Sequence, residues 1–416
     1  MKSSKRRLLT GSGCMAMALL TLLGSSPFTL RPGAEELSGS FGSEQKGGRT
    51  QLTDQTVSSL TDISIGLFRL TAGDDANTAV SPLSALLCLS MLANGAEGET
   101  RAQLEKLFGM PAEDWNRQLR ALTDTISDTK DCRIRLGSSV WLNRAHVRSI
   151  RPAFLQANAE WYGAKIRRAA FDEATRRDIN RWVEQQTDGM VDSILEDIPS
   201  DTVLYLINTL LFNAKWQRPY ADSEIQTGSF ANADGTQAEV TMLHSEEEFY
   251  FETGTAAGFC KPYAGGRYSF WGILPNVGTP LPDWIAALNR DTWRELTGSL
   301  QRRPVTVEMP EFTCKSELRL NDALQAMGVN DLFLPDRCDL SGISPDGRLH
   351  CSEIRQKAAV EISRSGTKSA AVTWGNVRTT ALFPPISVVL NRPFVYAVVD
   401  QESGLPLFLG SVNCLT

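Results

Sequence analysis

Between Arg364 and Phe394 the chain reads RSGTKSAAVTWGNVRTTALFPPISVVLNRPF. Positions 367, 369, 371, 373, 375, 377 and 379 hold Thr, Ser, Ala, Thr, Gly, Val and Thr, all small or β-branched and none charged. The intervening positions include Lys368, Trp374, Asn376 and Arg378, polar groups that a crowded interior would not accept unpaired. Period-2 sorting of this kind marks a strand with one buryable face. Pro384 and Pro385 then interrupt regular pairing. The chemistry this permits is strand addition, by a segment exposed in one state and able to join a sheet in another.

Side chains that would do catalysis are poorly arranged. The three histidines, His146, His244 and His350, lie in no HExxH pattern and near no GxSxG elbow. There is no Walker motif or Gly-rich dinucleotide loop. The eight cysteines, at 14, 88, 132, 260, 314, 338, 351 and 414, match no metal spacing. No catalytic residue, metal or cofactor is expected. A net charge of −6 speaks against nucleic acid as a partner, and Arg144, Arg148 and Arg151 read as solvated surface.

The elements that would position such a segment can be followed from the start. Lys2, Lys5, Arg6 and Arg7 precede an apolar run strongest over 14–23, and Gly24, Ser25 and Ser26 follow it. That order reads as a secretory signal peptide over 1–26, with an uncleaved signal anchor as the alternative. Removal of Cys14 would leave seven cysteines, an odd number that export permits to pair but that nothing assigns. Residues 27–53 read as a Gly-, Ser- and Glu-rich linker without packed structure.

A helix is expected over 52–70 and another after Ser81-Pro82, with Ser81 as cap and Gly95 as stop. Further helices are expected over 100–109, 152–164, 177–195, 281–296 and 321–327. Strands are expected over 133–141, 225–275, 305–312, 349–363 and 386–413. Thr202 to Trp216, TVLYLINTLLFNAKW, is apolar enough to be a strand covered on both faces. Asn208 in its middle must find partners. The composition, 42% hydrophobic and 22% charged, is globular, and the mixture of expected helices and strands is α+β.

Several of these stretches, in this order, resemble the serpin family over roughly residues 54 to 416. They are Asn77–Gly95 with its Ser-Pro-x-Ser, Gly98-Glu99-Thr100 before Leu107-Phe108-Gly109, and Ile179-Asn180-Arg181-Trp182-Val183. Asn208 through Trp216, Asp339-Leu340-Ser341-Gly342 and Asn391-Arg392-Pro393-Phe394 complete the set. The resemblance implies three β-sheets with eight or nine helices and an exposed reactive-centre loop at about 366–386. It implies no enzyme but a secreted inhibitor of serine-type endopeptidases, monomeric when native. The protease cleaves the loop and is held as a covalent acyl-enzyme while the loop inserts into the central sheet. A non-inhibitory binding or chaperone serpin is the alternative.

The resemblance also assigns roles. The hinge is Gly366, Thr367, Lys368, Ser369, Ala370, Ala371, Val372 and Thr373, with Thr367 the first residue to insert. Roughly a dozen new ladder bonds at about 1 kcal/mol each would bias insertion before strain and ordering. The reactive bond falls at Thr380–Ala381, with Arg378 and Leu382 as alternatives; elastase-, subtilisin- or chymotrypsin-like proteases are the expected partners. Ser81, Ser84, Asn208 and Gln356 would form the polar shutter under the central sheet, with Gln356 standing where relatives carry a titrating His. Trp216, Glu311 and Arg364 belong to the breach, where the loop enters. Many relatives place an acid and a Lys there; this chain reverses both signs, so an Arg364–Glu311 bridge is expected.

Overall fold

The run at 202–216 becomes β6 (Thr202–Ala214), and its side chains divide by period 2 between two cores. Leu204, Leu206, Leu210 and Phe212 enter the main core, while Tyr205 and Ile207 enter a smaller one on the opposite face. A strand covered on both faces needs no polar alternation. The main core is lined by α2 (Pro82–Ala93), all of whose residues are buried. Ser81 caps it by accepting from the Ser84 N–H, with Pro82 in the first turn. The second core is closed by α6 (Glu173–Gln186) through Ile179, Trp182 and Val183.

This computed structural model describes residues 13–23 as backbone, and 34–41, 51–126, 131–345, 349–364 and 386–416 in full. Among them the central sheet has seven strands. In spatial order they are β12 (Phe312–Arg319), β13 (His350–Ile362), β1 (Gly13–Leu23), β6, β4 (Cys132–Asn143), β5 (Lys165–Ala169) and β2 (Glu35–Glu36). Behind it lie two more sheets that share β8 (Gln237–Glu252). Residues 237–243 of β8 pair with β7 (Ile225–Ala231), and residues 242–250 with β11 (Gln301–Pro310), which carries β14 (Ile386–Val389). Residues 249–252 pair instead with β9 (Ala256–Pro262). From there the third sheet runs through β10 (Tyr268–Pro275), β15 (Phe394–Asp400) and β16 (Pro406–Val412) to β3 (Thr78–Val80). Nine α-helices are present among the described residues, so the α+β architecture with three sheets is the one expected.

Several elements differ from their sequence expectation. The helix expected over 177–195 is α6, displaced to 173–186. Asp172 caps it by accepting from the Thr175 N–H at 2.9 Å. It cannot continue because Asp188 and Gly189 take left-handed backbone at φ 48° and 81°. The helix expected over 281–296 is two, α7 (Leu281–Ala287) and α8 (Arg290–Gly298), because Asn289 caps the second and so must leave helical geometry. An unexpected helix, α4 (Ala112–Thr125), puts Trp115, Leu119 and Leu122 into the main core.

The linker expected over 27–53 is packed in part. Residues 34–41 lie along the edge of β5: the Leu37 N–H donates to the Ile166 carbonyl at 2.8 Å, and the Ile166 N–H donates to Ser38 Oγ at 3.0 Å. Glu35 pairs with Arg168, and Glu36 with Arg167. Leu37 and Phe41 rest against the core. A bare sheet edge presents unpaired backbone groups, and this strap satisfies those of Ile166.

Candidate functional site

The site is the space between β6 and β13. Both strands run antiparallel to β1, so they are parallel to each other and each offers a full row of backbone groups to a strand between them. β1 ladders on both sides, from Gly13 opposite Glu361 and Asn213 to Leu23 opposite His350 and Thr202. One bulge interrupts each ladder near its far end, at Thr21/Leu22 and Leu22/Leu23. Residues expected as the apolar core of a signal peptide thus occupy the middle of the central sheet as backbone.

At mid-slot, Ala18 stands opposite both Gln356 and Asn208. The Gln356 amide grips the backbone of Ser81 from both sides, accepting from its N–H at 3.0 Å and donating to its carbonyl at 2.8 Å. An amide accepts at its oxygen and donates at its nitrogen at once, and unlike an imidazole it does so without titrating. Asn208 does not join this pair. Its Nδ2 donates to Ser138 Oγ on β4 at 3.0 Å, because β1 separates its strand from that of Gln356. Ser84 Oγ and Asn208 Oδ1 are buried without a hydrogen-bond partner among the described residues. Of the four expected shutter residues, Gln356 bonds Ser81, whose Oγ accepts from the Ser84 N–H, while Asn208 bonds Ser138 and does not join them.

Trp216, Glu311 and Arg364, the residues expected at the breach, lie close together just after β13. Arg364 Nε and Nη2 lie 3.2 and 3.1 Å from Glu311 Oε1 and Oε2, and the Arg364 N–H donates to Oε1 at 2.7 Å. The Glu311 carboxylate raises the Arg364 guanidinium above its ordinary value. Trp216 Nε1 donates to the Ser363 carbonyl at 2.8 Å, and the Tyr220 N–H to the Arg364 carbonyl at 3.2 Å. Ser363 and Arg364, which follow β13, are therefore held on two sides.

Beneath them sits a cluster that the sequence reading missed. Lys261 and Glu247 are 1% and 7% exposed and pair at 2.5 Å. Ser245 Oγ donates to the same carboxylate at 2.6 Å. The Lys261 ammonium lies 4.3 Å from the Tyr220 ring centroid and 5.5 Å from that of Trp216, which stacks on Tyr263 at 4.5 Å. Burial, and after it Glu247, pushes the Tyr220 phenol well above its ordinary value. A buried pair so well supplied with partners fixes geometry more than it adds stability. Its signal in the sequence was a charged residue inside the apolar strand Phe259-Cys260-Lys261.

Glu361 lies near the same end of the slot. Half-burial first, and then the like charge of Glu311, raise its carboxyl above the usual range, with Lys315 opposing.

The remaining motifs are contacts. Asn180 Oδ1 accepts from the Ile194 and Leu195 N–H groups at 2.9 and 3.0 Å, pinning the segment after α6. A Cβ on Gly342 would stand 2.8 Å from the Gly95 carbonyl, so Asp339–Gly342 and Asn77–Gly95 are adjoining surfaces that need glycine. Phe394 meets Phe230 and Phe312 edge-on. The expected hinge, Gly366 through Thr373, and the expected reactive bond, Thr380–Ala381 with Arg378 and Leu382, lie outside the described residues.

A central sheet that takes a strand between β6 and β13, with two further sheets and nine helices among the described residues, is the arrangement of a serpin. Residues 58–415 match the serpin (serine protease inhibitor) family, and the chain belongs to it. Its members are mostly protease inhibitors rather than enzymes. Among curated relatives, mouse (Mus musculus) neuroserpin is 28% identical, covering 82% of this chain and 86% of its own. Leukocyte elastase inhibitor A of Rattus norvegicus is 29% identical, covering 81% and 92%. Among solved structures, the thermophilic serpin tengpin in its native state superposes with a TM-score of 0.82 at 33% identity, covering 92% of this chain and all of that one.

Proposed function

We propose that the chain is a suicide-substrate inhibitor of serine proteases, acting by loop cleavage and insertion. The observation that supports this most is that the space between β6 and β13 holds an antiparallel strand laddered on both sides, and that Arg364, two positions before the hinge Gly366 in sequence, lies at the rim of that space. β13 spans 13 residues, and 367–379, the segment with the sorted face, spans the same number. In the proposed reaction the protease serine attacks the Thr380 carbonyl. Its Oγ–C bond forms, the bond to the Ala381 nitrogen breaks, and that nitrogen leaves as an amine carrying the proton. Residues 367–379 then enter the slot while the acyl bond persists.

The relative that inhibits leukocyte elastase supports an elastase-like target for a Thr-Ala bond. Cleavage after Arg378 would indicate a trypsin-like protease and after Leu382 a chymotrypsin-like one. The working form is taken to be secreted and monomeric, with residues 1–26 removed. The chain lacking those residues, mixed with elastase or subtilisin, is expected to give an SDS-stable complex and release a fragment beginning at Ala381 by mass spectrometry. Cleavage of the loop with neither complex nor gain in heat stability would overturn inhibition and leave a binding or chaperone serpin.

A further inference from the structure

We infer that residues 13–23 are an intramolecular plug for the loop's own slot, so that the chain is locked against insertion until its N-terminal segment is removed. The inference deepens the proposed inhibitory function and rests on it.

Three observations carry it. First, the plug and the loop would use the same backbone groups. β1 takes partners on β13 from His350 to Glu361 and on β6 from Thr202 to Asn213, leaving almost none of either strand for a second occupant. A loop strand following Arg364 back along β13 would run antiparallel to it, as β1 does. Two strands cannot satisfy one row of donors and acceptors, so occupation is exclusive.

Second, the segment is suited to a central strand. GCMAMALLTLL contains no charged residue and no proline, and a Pro or an unpaired charge is what a buried ladder rejects. The competing 367–379 carries Lys368 and Arg378. At the register position opposite both Gln356 and Asn208 the plug has Ala18, one of the smallest side chains.

Third, the chain holds the plug close. Residues 34–41 are fixed along β5, three strands from β1, by the backbone and side-chain bonds of Leu37, Ser38, Glu35 and Glu36. Strands about 4.8 Å apart place β2 roughly 19 Å from β1, and the ten residues 24–33 can span up to about 33 Å. Tethering at such a distance gives a high effective concentration, which a separate peptide would have to match in solution.

The lock leaves the rim intact. Gly13 ends opposite Glu361, short of Arg364, so the Arg364–Glu311 bridge stays closed over a filled slot. Removal of 1–26 would then empty the slot without disturbing either that bridge or the strap at 34–41. A chain that kept its N-terminus through failed export would be unable to trap a protease on the wrong side of a membrane.

The test compares the full chain, the chain lacking residues 1–26, and the full chain carrying Ala18→Asp. Amide hydrogen exchange should find 13–23 protected in the full chain and unprotected in Ala18→Asp, which places an unpaired charge at mid-slot. With elastase or subtilisin, the truncated chain and Ala18→Asp should form SDS-stable complex, and the full chain should be cut without it. A synthetic peptide of residues 13–23 should abolish complex formation by the truncated chain. Loop cleavage should raise the melting temperature of the truncated chain but not of the full one. Equal complex formation by the full and truncated chains, or rapid exchange throughout 13–23, would overturn the plug. If no variant forms complex, the inhibitory function fails; the exchange and melting comparison still decides whether the slot is plugged.

Discussion

At the scale of single residues, the centre of the slot depends on one amide. Gln356 is fully buried, accepts from the Ser81 N–H and shares the Ser81 carbonyl with the Ala85 N–H. Gln356→Met keeps the volume and leaves the buried Ser81 N–H without its acceptor, which costs about 1–3 kcal/mol. Urea denaturation of the chain lacking residues 1–26 should show that loss at pH 5 and at pH 8 alike, because no titrating group is removed. A loss confined to one side of pH ~6.5 would show that another group governs this point. Glu361 behaves in the opposite way. Its carboxyl is raised in the folded state, so the folded chain binds its proton more tightly and stability falls as pH rises from the ordinary carboxylate range through the raised value. Glu361→Gln should therefore raise the melting temperature at pH 7, by about 1–3 °C for a chain of this size, and leave it unchanged at acid pH where both states are protonated. That Asn208 needed partners was legible from its place in an apolar run. That its partner is Ser138 was not, because the two lie 70 positions apart and are joined only by the pairing of β4 with β6.

At the scale of elements, the reversed charge pair is the clearest case of sequence reasoning reaching the site. Arg364 and Glu311 sit on β13's end and in the break between β11 and β12, and they meet through three contacts. Exposed pairs contribute little, typically under about 1 kcal/mol, so the pair's effect belongs in the rate at which the rim opens. Arg364→Glu should speed heat-induced polymerisation several-fold by light scattering, and Arg364→Glu with Glu311→Arg should restore the original rate. No change in the single variant would remove the bridge from any role in opening. Element ends were harder to read than element types. α6 stops where Asp188 and Gly189 turn left-handed, and α7 gives way to α8 where Asn289 caps. Both are local backbone events beneath a hydrophobic period that continues past them. The apolar run at 14–23 was legible as apolar, but periodicity in so short a run does not separate a membrane-targeting segment from a fully buried strand.

At the scale of the whole molecule, the ordered motifs carried the fold. The structure shows why they are spaced so far apart in sequence: Gly95 lies against Gly342, Asn180 holds the turn before β6, and Phe394 closes between Phe230 and Phe312. What the motifs could not convey is that the first fifty residues contribute two strands to the central sheet, one in its middle and one at its margin. These two strands meet different needs. Trimming between residues 24 and 33 would take away the middle strand and leave the margin covered. Trimming beyond residue 41 would also uncover the Ile166 backbone groups that Leu37 and Ser38 satisfy. Such a product would offer two open seams instead of one, the second with no loop of its own to fill it. The place where a protease or an expression vector starts the chain thus decides between a loaded spring and a sticky one.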